Sequence, residues 1–306
     1  MEKIHGLINA PFTAFNQDGS LNTQPVPQYA KMLAAHGVNG VFVNGSSGEG
    51  YLMTDEERIE NAQAWLDAAP AGFKVFVHVG SNSIKSSQLL AQHAANAGAY
   101  AISVMGPTFP KIGRLEELVE YCAQIAAAAP QLPFYYYHIP VFNGLYFPML
   151  EFLKAVDERI PNFAGIKYTF ESLYEYTQCR RYKDGRFDML HGQDETLLPS
   201  LALGGAKGCI GGTFNYAAKL YTGIVSAFNE GDLDTARALQ SQAMDMIDVI
   251  AAYRGNIVAG KQIMKMIGLD LGKNRAPFRN LSAEEYAEVE HRLQGLDFFE
   301  YANKVS

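Results

Sequence analysis

The sequence predicts a closed (β/α)8 barrel of the TIM-barrel type, an α/β fold, followed by a helical appendage. Eight short apolar runs alternate with segments of helical periodicity along the 306-residue chain. Such alternation indicates a parallel sheet covered by helices. Eight repeats favour a closed barrel, and an open doubly wound sheet is the alternative. We assign residues 1–230 to the barrel and 231–306 to the extension.

The predicted elements follow one another in regular order, each strand before its helix. Thr54 with Glu57 forms a capping box at the start of the second helix. The strands are predicted at Gly6–Ala10, Gly40–Val43, Lys74–Val79, Ala101–Met105, Phe134–Tyr137, Phe163–Lys167, Phe187–His191 and Gly208–Gly211. The helices are predicted at Pro25–His36, Asp55–Ala69, Ile84–Ala97, Leu115–Ala129, Pro148–Val156, Leu173–Arg181, Leu197–Leu203 and Tyr216–Asn229.

Three helix ends share one junction, in which glycine precedes the next strand. These are Ala35–Gly40, Asn96–Ala101 and Leu203–Gly208, and glycine there suits a left-handed helix cap. After Asn229 the strand pattern stops. Helical patterns are expected from Leu233 to Ile250, at Ile257–Ile267, and in a last helix that begins at Ser282 with Glu285. No linker rich in Pro, Gly or Ser separates this extension from the barrel.

Composition narrows the class of protein. The net charge of −7 argues against nucleic acid or an anionic membrane as partner. No apolar run approaches the roughly 20 residues of a membrane span, and the N-terminus lacks the apolar core of a signal peptide. The three cysteines, Cys122, Cys179 and Cys209, are distant from one another and are expected to be reduced and buried. We therefore expect a cytoplasmic protein.

The sixth predicted strand ends on a lysine, Lys167, after a small and apolar approach from Phe163. In such barrels the chemistry lies at the C-terminal ends of the strands. Burial disfavours the ammonium form and lowers the pKa of a lysine. A partly neutral amine can attack a ketone and form a Schiff base. The alternative is an ordinary lysine that reaches solvent from a strand end.

Four further stretches follow strands at the same end. The loop Asn44–Gly50 contains Ser46 and Ser47 among glycines, which suits an anion such as a carboxylate, although it can equally be a plain surface loop. Tyr137 ends the fifth strand beside Lys167, where it is placed to move a proton, whereas we expect Tyr135 and Tyr136 to pack in the core.

Asp194 and Glu195 follow the seventh strand in His191–Glu195. They are either acceptors for sugar hydroxyls or first-turn residues matched to a helix dipole. The glycine-rich turn Gly211–Asn215 after the eighth strand leaves room for a ligand.

Two other sequence features are considered as a phosphate site and a metal site, and both are rejected. Gly255–Gln262 resembles a phosphate-binding loop, but Gln262 stands where Ser or Thr must meet magnesium, and a helical pattern precedes it. The seven histidines show no tight metal-ligand spacing, so a protein-bound metal is not expected.

Three of these segments resemble family motifs. Gly45–Glu49 matches G-[ST]-[ST]-G-E, Tyr137–Pro140 matches Y-x-[IV]-P, and Gly165–Thr169 matches G-x-K-x-[ST]. They occur in the right order at the right strands, and the resemblance covers nearly the whole chain. The sequence is identified as a member of the N-acetylneuraminate lyase and dihydrodipicolinate synthase family of class I aldolases.

The resemblance assigns expected roles. It implies that Lys167 forms the Schiff base with the C2 ketone of an open-chain sugar acid and that Tyr137 moves a proton on and off the C4 oxygen. It implies that Ser46 and Ser47 hold the carboxylate. The positions that match contacts to the hydroxylated tail are Thr169, Gly192, Asp194 and Glu195.

Within the family the chain is most similar to the lyases. The synthases usually carry an arginine shortly after the Y-x-[IV]-P proline, where this chain reads Val141–Gly144. Their paired-tyrosine loop after the fourth strand corresponds to Pro107–Pro110, which has no tyrosine. The resemblance therefore implies cleavage of N-acetylneuraminate to N-acetylmannosamine and pyruvate, without cofactor or metal, in a homo-oligomer that is usually tetrameric.

One departure leaves the sugar open. The lyases commonly have serine in the turn after the eighth strand, and this chain has Gly212. The alternatives are an aldolase for another 2-keto-3-deoxy sugar acid and a non-catalytic sugar-acid-binding barrel.

Overall fold

The structure is a computed structural model that describes residues 3–204 and 207–305. Eight parallel strands in this part of the chain close into a barrel, each pairing with the next and β8 pairing with β1. This confirms the predicted fold class and excludes the open sheet. The strands are β1 Gly6–Asn9, β2 Val38–Val43, β3 Lys74–His78, β4 Ala101–Met105, β5 Phe134–His138, β6 Phe163–Tyr168, β7 Asp188–His191 and β8 Gly208–Gly211.

The helices cover the barrel and continue beyond it. The sequence did not predict α5 or α13, which are single turns, and the helix that begins after Ser282 is not the last. The helices are α1 Val26–Ala35, α2 Asp55–Ala68, α3 Ile84–Asn96, α4 Leu115–Ala126, α5 Pro140–Asn143, α6 Met149–Arg159, α7 Leu173–Arg181, α8 Leu197–Ala202, α9 Phe214–Glu230, α10 Leu233–Ala251, α11 Lys261–Met266, α12 Ala283–Gln294 and α13 Phe298–Tyr301.

Local chemistry explains many element boundaries. The predicted capping boxes at Thr54 and Ser282 both form, each with the glutamate three residues on. Gly37 and Gly98 have φ near +80° after their helices, as predicted for left-handed caps. The third junction has Gly204 at φ +74°, whereas Gly205 and Ala206 lie outside the described residues.

Alternation along the strands sorts the core into two layers. Residues of one face fill the barrel, among them Phe42, Phe76 and Tyr135. Residues of the other face pack under the helices, and Tyr136 packs there against Phe152 with ring centroids 4.6 Å apart and the rings tilted by 45°. Tyr135 and Tyr137 share the inner face, as the period of two predicts.

The C-terminal helices pack on the barrel. Helix α10 lies against α9, and Asn303 near the chain end donates its amide to the carbonyls of Phe214 and Asn215. The division between residues 230 and 231 stays a prediction. Cys122 in α4, Cys179 in α7 and Cys209 in β8 are buried and free, as predicted. In the described residues, no helix is long and apolar enough to cross a membrane.

Candidate active site

Lys167 lies near the C-terminal end of β6, and its inward direction follows from the strand. Gly165 precedes it on the same inner face, where a Cβ would overlap the backbone carbonyl of Asp188 in β7. Glycine therefore lets β7 approach closely below the lysine. Tyr137 of β5 is the direct register partner of Lys167. The predicted juxtaposition of these two residues is confirmed.

The amine of Lys167 is enclosed by aromatic rings. Its Nζ lies 4.3 Å from the ring centroid of Phe42 and 4.0 Å from that of Tyr137. The residue is 4 % exposed. Burial lowers the pKa of Lys167 to about 7, and the nearby Asp194 carboxylate opposes part of this shift. The amine can therefore be neutral near physiological pH, as a nucleophile requires.

Tyr137 connects the lysine to the loop after β2. Its hydroxyl lies 3.1 Å from Ser46 Oγ, within hydrogen-bond distance. Burial raises the pKa of Tyr137 to about 12, and the Ser46 hydroxyl opposes this rise. The phenol is therefore protonated at neutral pH and can donate its proton to an oxygen beside Lys167.

The β2 loop is fixed from below by Glu49, a residue to which sequence reasoning gave no role. Glu49 has φ +55° and a fully buried side chain. Its Oε1 accepts from Lys261 Nζ at 3.0 Å and from Asn274 Nδ2 at 2.9 Å, and its Oε2 accepts from Arg275 N at 2.8 Å. These partners satisfy the buried charge. The C-terminal extension thus holds the loop that carries Ser46 and Ser47.

This ion pair also explains the misleading phosphate-loop pattern. Lys261 is buried, and it donates to Lys273 O as well as to Glu49. The residues before it form one π-helical turn, Asn256–Gly260. The rejection of Gly255–Gln262 as a phosphate site agrees with this arrangement, because the lysine is already paired.

Asp194 has partners of its own in the turn after β8. Its Oδ2 accepts from Gly212 N at 3.0 Å, from Thr213 N at 2.8 Å and from Thr213 Oγ1 at 2.6 Å. Burial raises the pKa of Asp194, while these hydrogen bonds and Lys167 oppose the rise. The carboxylate therefore stabilises the β8 turn, which the sequence did not indicate.

The cavity that contains Lys167 and Asp194 is also lined by Glu195, Thr169 and Gly192. Glu195 is half-buried, and burial raises its pKa. A Cβ at Gly192 would overlap Thr169 Oγ1, so the glycine leaves space for that hydroxyl. Thr169 Oγ1 is buried, and its hydroxyl interacts with that of Tyr137. A polar ligand in the cavity can use the same hydroxyl.

One cavity of about 540 Å³ brings most of the predicted site residues together. A neighbouring cavity of about 710 Å³ is lined by Ser46, and both cavities share Ser47 and Asn256. Ser46 therefore reaches the lysine through Tyr137 rather than from the wall of the first cavity. The predicted residues that line the first cavity are Ser47, Tyr137, Lys167, Thr169, Gly192, Asp194 and Glu195.

Gly212 lies where the side chain of Asn256 takes the space that a Cβ would need. A Cβ at Gly212 would overlap Nδ2 of Asn256, and it would lie 3.3 Å from Ser47 Oγ. Asn256 belongs to the π-helical turn and also lines the cavity. Sequence reasoning missed Asn256, because no local pattern connects it with position 212.

No group of three or more His, Cys, Asp or Glu in the described segments is arranged to hold a metal ion. Burial lowers the pKa of His191, at the end of β7, to about 4. Its Nε2 lies 3.0 Å from Thr196 Oγ1. The ring is therefore neutral near pH 7 and fixes the start of the turn that carries Asp194.

The closed barrel and the buried lysine near the end of β6 agree with the class I aldolase family that the sequence motifs resemble. The family model described as Dihydrodipicolinate synthetase family matches residues 3–296. The chain belongs to this family.

Its relatives include N-acetylneuraminate lyases. The solved structure of the Proteus mirabilis N-acetylneuraminate lyase is 38 % identical with a TM-score of 0.94, covering 97 % of this chain and 100 % of that one. The N-acetylneuraminate lyase (sialic acid aldolase) of Aliivibrio salmonicida is 40 % identical, also with a TM-score of 0.94, over 97 % and 98 % of the two chains. The Mus musculus N-acetylneuraminate lyase is 36 % identical over 97 % of this chain and 94 % of its own length.

Proposed function

We propose that this protein is an N-acetylneuraminate lyase, a Schiff-base aldolase that cleaves N-acetylneuraminate to N-acetylmannosamine and pyruvate. The observation that carries the proposal is the buried Lys167 amine, with a pKa of about 7, at the ligand-accessible end of the barrel. The similarity to N-acetylneuraminate lyases over 97 % of the chain supports this substrate.

The covalent step uses the neutral amine of Lys167. Its lone pair attacks the C2 ketone of the open-chain acid, water leaves, and a protonated imine forms. The C3–C4 bond then breaks, and its electron pair moves toward the iminium to give an enamine. At the same time the C4 hydroxyl loses its proton and becomes the aldehyde of N-acetylmannosamine, which leaves. Protonation at C3 and hydrolysis release pyruvate and the free lysine. The iminium itself is the electron sink, so the proposed chemistry needs no metal or cofactor.

Tyr137 is the proposed proton carrier at the C4 oxygen. Cleavage requires that oxygen to lose its proton as the C3–C4 bond breaks. The phenol is protonated in the free protein, because burial raises its pKa to about 12. The iminium places a positive charge beside the ring, where Nζ lies 4.0 Å from the centroid, and a nearby cation favours the ionised phenol. Schiff-base formation therefore prepares Tyr137 to accept the proton, and the Ser46 hydroxyl is within reach to share it.

The remaining predicted residues divide between the two ends of the substrate. Ser46 and Ser47, in the anchored loop after β2, are proposed to hold the carboxylate. Thr169, Gly192, Asp194 and Glu195 are proposed to face the hydroxylated tail. Thr169 offers a hydroxyl beside Tyr137, and Glu195 offers a carboxylate acceptor on the cavity wall. Asp194 is proposed to contact the tail and also to hold the turn after β8. Its Oδ2 already accepts three hydrogen bonds from that turn.

We also propose that the protein acts in the cytoplasm as a homo-oligomer, a tetramer by resemblance to its family. Light scattering coupled to size-exclusion chromatography gives the subunit number directly. A monomer at micromolar concentration would contradict the proposal.

Pyruvate release from a panel of 2-keto-3-deoxy sugar acids tests the function. N-Acetylneuraminate should be cleaved with the highest kcat/KM, and Lys167→Ala should abolish release. Lys219→Ala, at an exposed position of α9, is the matched control and should behave as wild type. A higher kcat/KM for a shorter acid would make the protein an aldolase of another sugar. Binding of sugar acids without any pyruvate release would make it the non-catalytic barrel.

A further inference from the structure

Asn256 lies where the C-terminal extension reaches the cavity of Lys167. It begins the π-helical turn Asn256–Gly260 between α10 and α11, after Gly255 with φ +68°. The same cavity is lined by Lys167 and Asp194. The other residues of the extension that line this cavity, Ile247, Ile250, Ala251 and Gly255, have no polar side chain.

The carboxamide of Asn256 is held in a fixed orientation. Its Oδ1 accepts a hydrogen bond of 2.8 Å from the hydroxyl of the buried Tyr216. A Cβ at Gly260 would overlap Oδ1, and a Cβ at Gly212 would overlap Nδ2. The group is therefore wedged between two glycines, and neither position tolerates a side chain without moving it. Such a clamp pre-organises a hydrogen-bonding group.

The clamp leaves the amide donors unused. Within residues 3–204 and 207–305, no protein acceptor takes a hydrogen bond from Asn256 Nδ2. This nitrogen and Ser47 Oγ both lie within 3.3 Å of the same point, the position of a Cβ on Gly212. Nδ2 therefore faces the side of the cavity where Ser47 stands.

The charge of the cavity explains why a donor is useful here. Its wall carries the carboxylates of Asp194, Glu195 and Glu171, which accept hydrogen bonds. A sugar-acid tail also presents oxygen acceptors, and these need N–H or O–H partners when they are buried. We propose that Asn256 is a specificity-determining residue whose amide donates a hydrogen bond to an oxygen of the tail. This rests on the proposed function.

Two oxygens of the tail share this chemistry, a hydroxyl and the acetamido carbonyl. Asn256→Ala should lower kcat/KM for N-acetylneuraminate about 2- to 13-fold, the range for loss of one neutral hydrogen bond. The analogue with a hydroxyl in place of the acetamido group separates the sources. A loss confined to N-acetylneuraminate identifies the acetamido carbonyl, and an equal loss with both substrates identifies a hydroxyl.

Two further variants separate hydrogen bonding from packing. Asn256→Asp keeps the shape and the acceptor for Tyr216 but removes the donors, so its loss should equal or exceed that of Asn256→Ala. Gly212→Ala should displace the amide and also lower kcat/KM. Combining Gly212→Ala with Asn256→Ala should then cost no more than Asn256→Ala alone, because the two changes remove the same contact.

The matched control is Asn229→Ala, at an exposed position near the end of α9, which should leave kcat/KM unchanged. Labelling of Lys167 by pyruvate and the thermal midpoint show that each variant is folded. The inference is overturned if folded Asn256→Ala and Asn256→Asp both keep wild-type kcat/KM, or if Gly212→Ala does. Failure of the proposed function looks different, because the wild-type protein would then release no pyruvate from either substrate.

Discussion

The pKa of Lys167 gives a quantitative prediction for the first covalent step. With a pKa of about 7, roughly half of the amine is neutral at pH 7. A lysine at the ordinary value of 10.5 is neutral there to about 0.03 %, so burial raises the reactive fraction by roughly a thousandfold. The rate of Schiff-base formation should therefore rise about tenfold per pH unit below pH 7 and level off above it.

Asp194→Asn perturbs this profile in a defined direction. The Asp194 carboxylate favours the ammonium form of Lys167 and thereby raises its pKa. Asparagine keeps an oxygen acceptor for the Gly212–Thr213 turn but removes the charge. The midpoint of the pH profile should consequently move to lower pH, and the neutral fraction of the amine at pH 6 should increase.

The assay is reductive trapping with pyruvate and cyanoborohydride at a series of pH values. Mass spectrometry of the digested protein measures the three-carbon adduct on Lys167. Glu195→Gln is the matched control, because it removes a neighbouring carboxylate that does not perturb Lys167. A wild-type midpoint near that of a free lysine would refute the role of burial. A rise of the midpoint in Asp194→Asn, or an adduct on Lys111, would refute the assigned electrostatics or the assigned nucleophile.

Three further predictions concern Tyr137, the dependence on metal ions and the buried pair of Glu49 and Lys261. Tyr137→Phe should lower kcat about 10²- to 10⁴-fold while pyruvate still labels Lys167, since the phenol is proposed to act in proton transfer; lost labelling would contradict that role. Exhaustive chelation and dialysis should leave activity unchanged, and rescue of lost activity by zinc or magnesium would point to another mechanism class. Glu49→Gln or Lys261→Met should each cost about 3–5 kcal/mol in urea unfolding, because one buried charge loses its partner. The double variant should cost less than either, and additive losses would show that the pair is not coupled.

Most of the fold could be predicted from the sequence, because the patterns that indicate its strands, helix starts and helix ends are local. Short apolar runs, capping boxes at Thr54 and Ser282, and left-handed glycines at Gly37 and Gly98 each act within a few residues. Eight such units then leave few topologies to consider. The short helices α5 and α13 escaped prediction, because a single turn has too few residues for a helical period.

Only part of the site could be predicted, because some of its contacts join residues that are far apart in the chain. Lys167 and Tyr137 are register partners on adjacent strands, so strand order alone brings them together. The contact between Glu49 and Lys261 joins residues 212 positions apart, and no local pattern encodes it. The bonds from the Gly212–Thr213 turn to Asp194 depend equally on how β7 and β8 meet.

These distant contacts couple the C-terminal extension to the chemistry. Lys261 is the cation of the buried Glu49, and the preceding π-helical turn carries Asn256 to the cavity wall. If Lys261 alone is replaced by an apolar residue, Glu49 is left as a buried carboxylate without its cation, and the cost of that unpaired charge favours opening of its loop. Opening of the loop moves Ser46 and Ser47, which are proposed to hold the substrate carboxylate. The barrel strands therefore carry the proposed nucleophile and the proposed proton carrier, and the extension holds the loop that is proposed to bind their substrate.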